Sequence, residues 1–373
     1  MRLYRFALLP LFVFALLPGL FLPRPALSAA RPLPGETAIQ AEDMRRDVEF
    51  LANPESGGRG TAQGPLETRV TEYVEKEFKR LGLKPGGVDG TYRQPWTYRS
   101  WSQLGFFAPP VQNTPPGRFG VEPNQDGLAF TPQGNVVTTE PIPGIPGVAP
   151  ATPNTHNLLA MVPGSDPALA GEVVVAGAHM DHLGKRSSSY FPGADDNGSG
   201  TAGLLAMARA LTEAKNAGHG PNRSVLLILF SGEERGLLGS QYFVGKPTVP
   251  LSSIVGMVNL DMIGRQGPTQ VSCWDQGKPN GPNLFHDLHD LDGLGFTRID
   301  HDIQRYAGQS DQGPFMRKGI PIVFFFEGFS ADGELNPDYH GRTDTADKVD
   351  YDKAARIARL AHRHVLGAAN HPK

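Results

Sequence analysis

Three short apolar runs, each closed by a knot of acids or histidines, constrain this sequence more than any other feature. Between residues 174 and 264, VVAGA runs into HMDH, LLILF into SGEERG, and VNL into DMIG. The first two are separated by TAGLLAMARALTEA, which has helical character. Apolar runs of this length, with a helical stretch between them, read as buried parallel strands of an α/β sheet. In such sheets ligands gather outside the carboxyl ends of the strands, which is where these polar knots fall. The predicted fold is therefore α/β: a mixed, mostly parallel sheet sandwiched between helices, with its site at the strand ends.

The remaining elements fit around that core. AIQAEDMRRDVEFLAN reads as a helix with Met44, Val48 and Leu51 on one face. PLETRVTEYVEKEFKRLGL reads as another, with Pro65 in its first turn, a stripe of Leu66, Val70, Tyr73, Val74, Phe78 and Leu81, and Gly82 past its end. Between them, SGGRGTAQG lacks the lysine and the preceding strand of a phosphate cradle and reads as a loop beside the substrate. Residues 97–155 are dense in Pro and Gly without helical periodicity, and are predicted to be a small β-rich insertion or a loop excursion. NLLAMVPG and GIPIVFFFEG are expected strands, and GPNLFHDLHDLDGLG an expected helix. The last helix, YDKAARIARLAHRHVLGAAN, should turn Ile357, Leu360, Ala361 and Leu366 inward and leave His362, His364 and His371 in solvent.

The N-terminus has a different purpose. Arg2 and Arg5 precede an apolar run from Phe6 to Leu22, and small residues follow from Ala26 to Ala30. That order predicts a secretory signal over 1–29, an exported domain over 30–373 interrupted by 97–155, and no stable membrane association after cleavage. With 39% hydrophobic and 20% charged residues, the 373-residue chain can bury a large core. A net charge of −3 argues against nucleic acid as a partner. Cys273 is the single cysteine, so no intrachain disulfide forms, and it reads as a small buried residue.

The polar knots have the residue types of a metal site. In HMDH, His179 and Asp181 share a face of an extended chain, so the imidazole is a candidate ligand and the acid its orienting partner. His182 points to the opposite face on that rule and reads as a hydrogen-bonded loop residue. GADDNGSG offers Asp195 and Asp196 before a helix, and two adjacent acids exceed what an N-cap needs. Glu233 and Glu234 follow a buried strand, where two carboxylates would repel unless a cation lay between them. Asp261 ends a further strand, and His340 follows Tyr339 in a polar loop. Histidine and carboxylate donors without thiolate suit zinc. Five of them, His179, Asp196, Glu234, Asp261 and His340, are too many for one catalytic ion and right for two that share a carboxylate.

Taken in order, AHMDH, GADDNGSG, FSGEERGLLGS, NLDMIGR, SDQGPF and YHGRTDT resemble the secreted di-zinc aminopeptidase family, which includes glutamate carboxypeptidases. The likeness covers Ala41 to Lys373 apart from 97–155. It implies two Zn²⁺ ions, one on His179 and Asp261, the other on Glu234 and His340, with Asp196 between them and a cis peptide before Asn197. It further implies Glu233 as general base, Asp181 as orienting acid, and Tyr339 as a substrate-binding residue that polarises the scissile carbonyl. Three features depart from the family pattern: a long loop FEGFSADGELNPDYH, Glu327 in place of a small polar residue, and a stretch KRSSSYF before the acid pair.

The resemblance implies a metal-dependent exopeptidase, foremost an aminopeptidase acting on peptides. Independently of it, Glu327 or Asp311 is expected to receive the substrate's free amine. The alternatives are a carboxypeptidase, a one-zinc glutaminyl-cyclase-like enzyme, a di-metal phosphoesterase, and a receptor-like domain without catalysis. The last usually lacks ligands or the base, and here all are present.

Overall fold

The structure, a computed structural model, describes residues 32–100, 129–130, 135–138, 153–169, 171–186, 188–279, 284–285, 291–329 and 334–372. The predicted signal and most of the 97–155 segment lie outside these residues. So does much of GPNLFHDLHDLDGLG, whose described residues are turns rather than the expected helix.

In chain order the main elements are α1 (Ala41–Leu51), α2 (Thr71–Arg80), β1 (Arg93–Ser100), β2 (Thr155–Val162), β3 (Val173–His179), α3 (Gly200–Asn216), β4 (Ser224–Phe230), α4 (Leu238–Gly245), β5 (Ile254–Asp261), β6 (Gln270–Gln276), α5 (Gln312–Arg317), β7 (Ile322–Phe326) and α6 (Tyr351–Asn370). A widened turn, Leu66–Val70, leads into α2. The sheet runs in the order Arg298–Asp300, β6, β7, β5, β3, β4, β2, β1, Asn135–Thr138, Ala129–Phe130. Its centre, β7-β5-β3-β4, is parallel. Antiparallel strands flank it, β6 on one side and β2 then β1 on the other. The described strands within 97–155 therefore extend the main sheet edge.

Alternation along each strand sorts side chains between two layers. Val174, Ala176 and Ala178 of β3 join Val225, Leu227 and Leu229 of β4 in a core with α1, α2, α3 and α6. Val175 of β3 and Leu226, Ile228 and Phe230 of β4 face the opposite way, onto Phe243 of α4 and Phe315 of α5. Helix α3 is buried almost all round because it lies between the sheet and two other helices, so its sequence is apolar beyond one stripe.

The C-terminal helix begins at Asp350, whose side chain accepts a hydrogen bond from the Lys353 N–H at 2.9 Å. Two of its histidines are not in solvent as expected. His362 and His364 are fully buried. Nε2 of His362 meets the Pro34 carbonyl at 2.9 Å, and the His364 ring stands edge-on to Phe325 with centroids 5.5 Å apart. The N-terminal segment crosses this face of α6, and the helix is covered where its sequence reads as polar. Only His371 is exposed. No helix among the described residues is long and apolar enough to cross a membrane.

The connectivity creates a switch point. From β3 the chain passes through α3 to β4 on one side, whereas β5 lies against the other side of β3. Adjacent strands leaving in opposite directions open a crevice at their carboxyl ends. His179 ends β3 and Asp261 ends β5.

Candidate metal centre

Two donor sets converge over that crevice. His179 Nε2 lies 3.4 Å from Asp261 Oδ1 and 3.6 Å from Asp196 Oδ1. His340 Nε2 lies 3.3 Å from Asp196 Oδ2 and 3.0 Å from Glu234 Oε2. Asp196 therefore turns one oxygen to each set. Donors at zinc distances of about 2.0–2.1 Å stand about 3.3 Å apart around a tetrahedral ion. The side chains present fit a pair of ions sharing one carboxylate, with no thiolate among them.

The loop carrying Asp196 is held by groups on two other segments. Asp344 accepts the N–H of Asp195 and of Asp196, each at 3.0 Å. Asp195 Oδ1 accepts the Gly264 N–H at 2.8 Å, and Asn197 donates to the Leu260 carbonyl at 2.9 Å. The Asp196–Asn197 peptide bond is cis, as the resemblance implied. Gly193 opens the loop with φ 61°, and a Cβ there would fall 2.3 Å from the Asp196 carbonyl oxygen and 2.5 Å from His182 Cγ.

A second support comes from SGGRGT. Arg59 is buried without a carboxylate partner. Its guanidinium donates to five carbonyls: Met180 at 3.0 Å, Leu51 at 2.9 Å, Pro192 at 2.8 Å, Gly193 at 2.6 Å and Asp196 at 3.3 Å. Thr61 donates to Asp181 Oδ2 at 2.7 Å, and the Glu233 N–H donates to Asp181 Oδ1 at 3.2 Å. Asp181 thus ties the β3 and β4 ends together. Its carboxylate stands 3.7 Å from His179 Nδ1, and the atom that meets this nitrogen is the Asp181 main-chain oxygen at 3.2 Å. Thr61→Val keeps the shape and strands one buried carboxylate oxygen. It should lower unfolding stability by about 1–3 kcal/mol, measured by denaturant titration, with Thr61→Ser close to wild type.

Charge at the site is arranged for cations. Burial pushes Glu233 well above the usual carboxylate range, and Asp261 and Glu234 add to the rise. Burial raises Asp196 as well, with Glu234 as a further cause. Burial disfavours the charged form of His179, yet Asp261 and Glu233 outweigh it and hold the imidazole well above its ordinary value. For His340 the same contest, with Asp196 and Glu234 on the winning side, ends at about 10. So many buried carboxylates beside imidazoles that must then carry protons is an arrangement that metal ions relieve.

The site opens into a cavity of about 180 Å³. His179, Asp196, Glu233, Asp261 and His340 line its polar side, and Met262, Tyr306, Phe324, Phe326 and Leu335 its apolar side. Tyr339 stands between, its ring stacked on His340 at 3.9 Å. Burial and the nearby carboxylates push its phenol upward, so the hydroxyl remains a donor.

Three expectations change. Glu327 does not face the cavity. It is buried against Lys353, and its Oε1 accepts the Ser272 N–H at 2.7 Å. Asp311 is also fully buried, and burial pushes it up to about 7. Neither is among the residues that line the cavity. His182 does not point away: its Nδ1 lies 2.8 Å from Glu234 Oε1. The parity rule failed because the strand ends at His179, and His182 bridges to Gly60 instead. Arg59 and Thr61 were also missed, although the unexplained charge within SGGRGT was a signal.

The family model for peptidase family M28 matches residues 157–365, more than half of the chain. The chain belongs to peptidase family M28. The M28 match includes all five proposed ligands, whereas Arg59 and Thr61 precede it. Among similar proteins, a probable leucine aminopeptidase of Trichophyton verrucosum (strain HKI 0517) is 32% identical over 206 residues, covering 55% of each chain. Leupeptin-inactivating enzyme 1 of Streptomyces exfoliatus is 35% identical over 175 residues, 46% of this chain and 36% of that one. The chain spans about half the length of the first of these, 55%. Among solved structures, BSAP, a zinc aminopeptidase from Bacillus subtilis, superposes with TM-score 0.59 at 18% identity over 90% of this chain and 96% of that one. A Porphyromonas gingivalis glutaminyl cyclase gives 0.56 at 15% identity over 90% and 99%. These two establish that the M28 chain has the zinc-exopeptidase fold.

Proposed function

We propose that this M28 protein is a two-zinc aminopeptidase that removes N-terminal residues from peptides, with a preference for large apolar ones. The observation that carries the reading is the pair of donor sets sharing Asp196, open to a cavity with one apolar wall. His179 and Asp261 would hold one ion, Glu234 and His340 the other, and Asp196 both. Zinc, when bound, supplies Lewis acidity toward a carbonyl and makes an attacking water acidic near neutral pH. Glu233, on the cavity wall, takes the proton of that water on its carboxylate and returns it to the leaving amine. Asp181 fixes the Glu233 backbone, and its main-chain oxygen fixes the His179 ring. The Tyr339 hydroxyl donates to the oxyanion that develops on the carbonyl. Phe324, Phe326, Met262 and Leu335 enclose the side chain of the residue to be removed and exclude water from it.

The named activity of similar proteins supports the same reading. Export is part of it, supported by the charged, apolar, small-residue order of the first 30 positions. The test is a panel of aminoacyl and acyl-aminoacyl substrates, with and without chelator. Leucyl and phenylalanyl substrates should be cleaved, chelation should abolish cleavage, and two equivalents of zinc should restore it. Full activity at one equivalent, or cleavage confined to N-blocked substrates, overturns the reading and favours a cyclase-like or carboxypeptidase site.

A further inference from the structure

We propose that His182 is a sixth metal-binding side chain, donating through Nδ1 to the ion held by Glu234, Asp196 and His340. This rests on the two-ion reading above and deepens it. His182 is fully buried, with its main-chain N–H fixed to the Arg59 carbonyl at 2.8 Å. Gly193 packs against the ring so closely that a Cβ there would meet it at 2.5 Å. Nδ1 is directed at Glu234 Oε1, 2.8 Å away, with Asp196 Oδ2 at 3.6 Å. Neither ring nitrogen is hydrogen-bonded, and neither is Glu234 Oε1 or Asp196 Oδ2. Buried polar atoms are almost always satisfied. A nitrogen close to a carboxylate oxygen without hydrogen-bond geometry is placed as two donors around a common cation are placed. His182, Asp196 and Glu234 in fact form a three-residue set whose donor atoms all lie within 4.8 Å of one another.

The consequence is an asymmetric pair. The ion at His179 has three side-chain donors in this scheme, counting the shared Asp196. The ion at Glu234 has four. Four protein donors make a closed, structural type of zinc site, whereas three leave a position for substrate or water. The Glu234 ion then loads first and holds tightest, and the His179 ion is the one exposed to exchange.

The experiment titrates chelator-stripped protein with zinc against a chromophoric competitor, and with cobalt for its visible spectrum, using wild type, His182→Asn and His182→Ala. Asparagine places an amide near the position of Nδ1. It can donate a hydrogen bond to Glu234 but is a poor zinc ligand, so it separates a metal donor from a residue that merely steadies Glu234. Wild type should take two equivalents in two steps. In both variants the tighter step should weaken by about 10–100-fold, the weaker step should be unchanged, and the cobalt band of the tight site should lose intensity or shift. Asparagine binding that matches wild type overturns the proposal, as does an unchanged cobalt spectrum. If a variant proves unfolded by circular dichroism, the other decides. Wild type that binds fewer than two equivalents overturns the two-ion reading itself, and this inference with it.

Discussion

Glu233→Gln is expected to lower kcat by about 10²–10⁴-fold, with KM and zinc content each held within about two-fold. Glutamine preserves shape and removes only the ability to take and return a proton. The carboxylate lines the cavity, and its backbone N–H is fixed on Asp181 at 3.2 Å. Burial drives it well above the ordinary carboxylate range when only side chains surround it. Cations bound beside it would oppose that rise and favour the carboxylate that can take a proton. Glu233 also stands within 4.8 Å of donor atoms on His179 and Asp261, which leaves a ligand role to be tested. Steady-state kinetics paired with zinc analysis separate the two. Loss of one zinc equivalent in the glutamine variant identifies a ligand and overturns the base assignment.

Lys353→Met should remove about 3–5 kcal/mol of stability near neutral pH. Lys353 and Glu327 are both fully buried and pair with each other, and Lys353 also donates to the Arg265 carbonyl at 2.6 Å. Methionine fills the space and leaves the carboxylate without its cation. The pH dependence follows from the carboxyl. Burial pushes Glu327 up to about 7 even though Lys353 pulls it down. In the variant that pull is gone, so the folded-state pKa stands further above the unfolded value. The folded variant then binds more protons than the unfolded chain, and stability falls as pH rises. Denaturant titrations should therefore show the largest deficit at pH 8 and a partial recovery toward pH 5. A deficit equal at both values, or absent, shows that Glu327 is not the group left stranded.

The fold and the convergence of the five proposed ligands were legible in the sequence for a physical reason. Continuous apolar runs end where a buried strand leaves the core, and polar residues at those ends have few places to go. His179, Asp261 and the Glu233–Glu234 pair could be placed from that alone. His182 could not, because the rule that alternate residues share a face holds only while the chain stays extended, and β3 stops at His179. Arg59 escaped because its partners are backbone carbonyls, which leave no trace in side-chain pattern. Glu327 drew attention as an anomalous charge after a buried strand. Its partner lies 26 residues on, in a helix whose buried face was expected to consist of apolar side chains. His362 of α6 misleads in the same way, since the segment covering it comes from the far end of the chain, and His364 is covered by Phe325 of β7.

The same arginine sets a limit on how the molecule can be shortened. Arg59 lies almost a hundred residues before the start of the M28 match, yet its guanidinium gathers the backbones on either side of the turns that carry the proposed ligands. A fragment trimmed to 157–365 retains each proposed ligand and loses the clamp that ties their loops together. Such a fragment, or a graft of those loops onto another scaffold, carries the right side chains on an unbraced frame. The smallest piece that keeps this site braced is therefore longer than the stretch by which the chain's kinship is recognised.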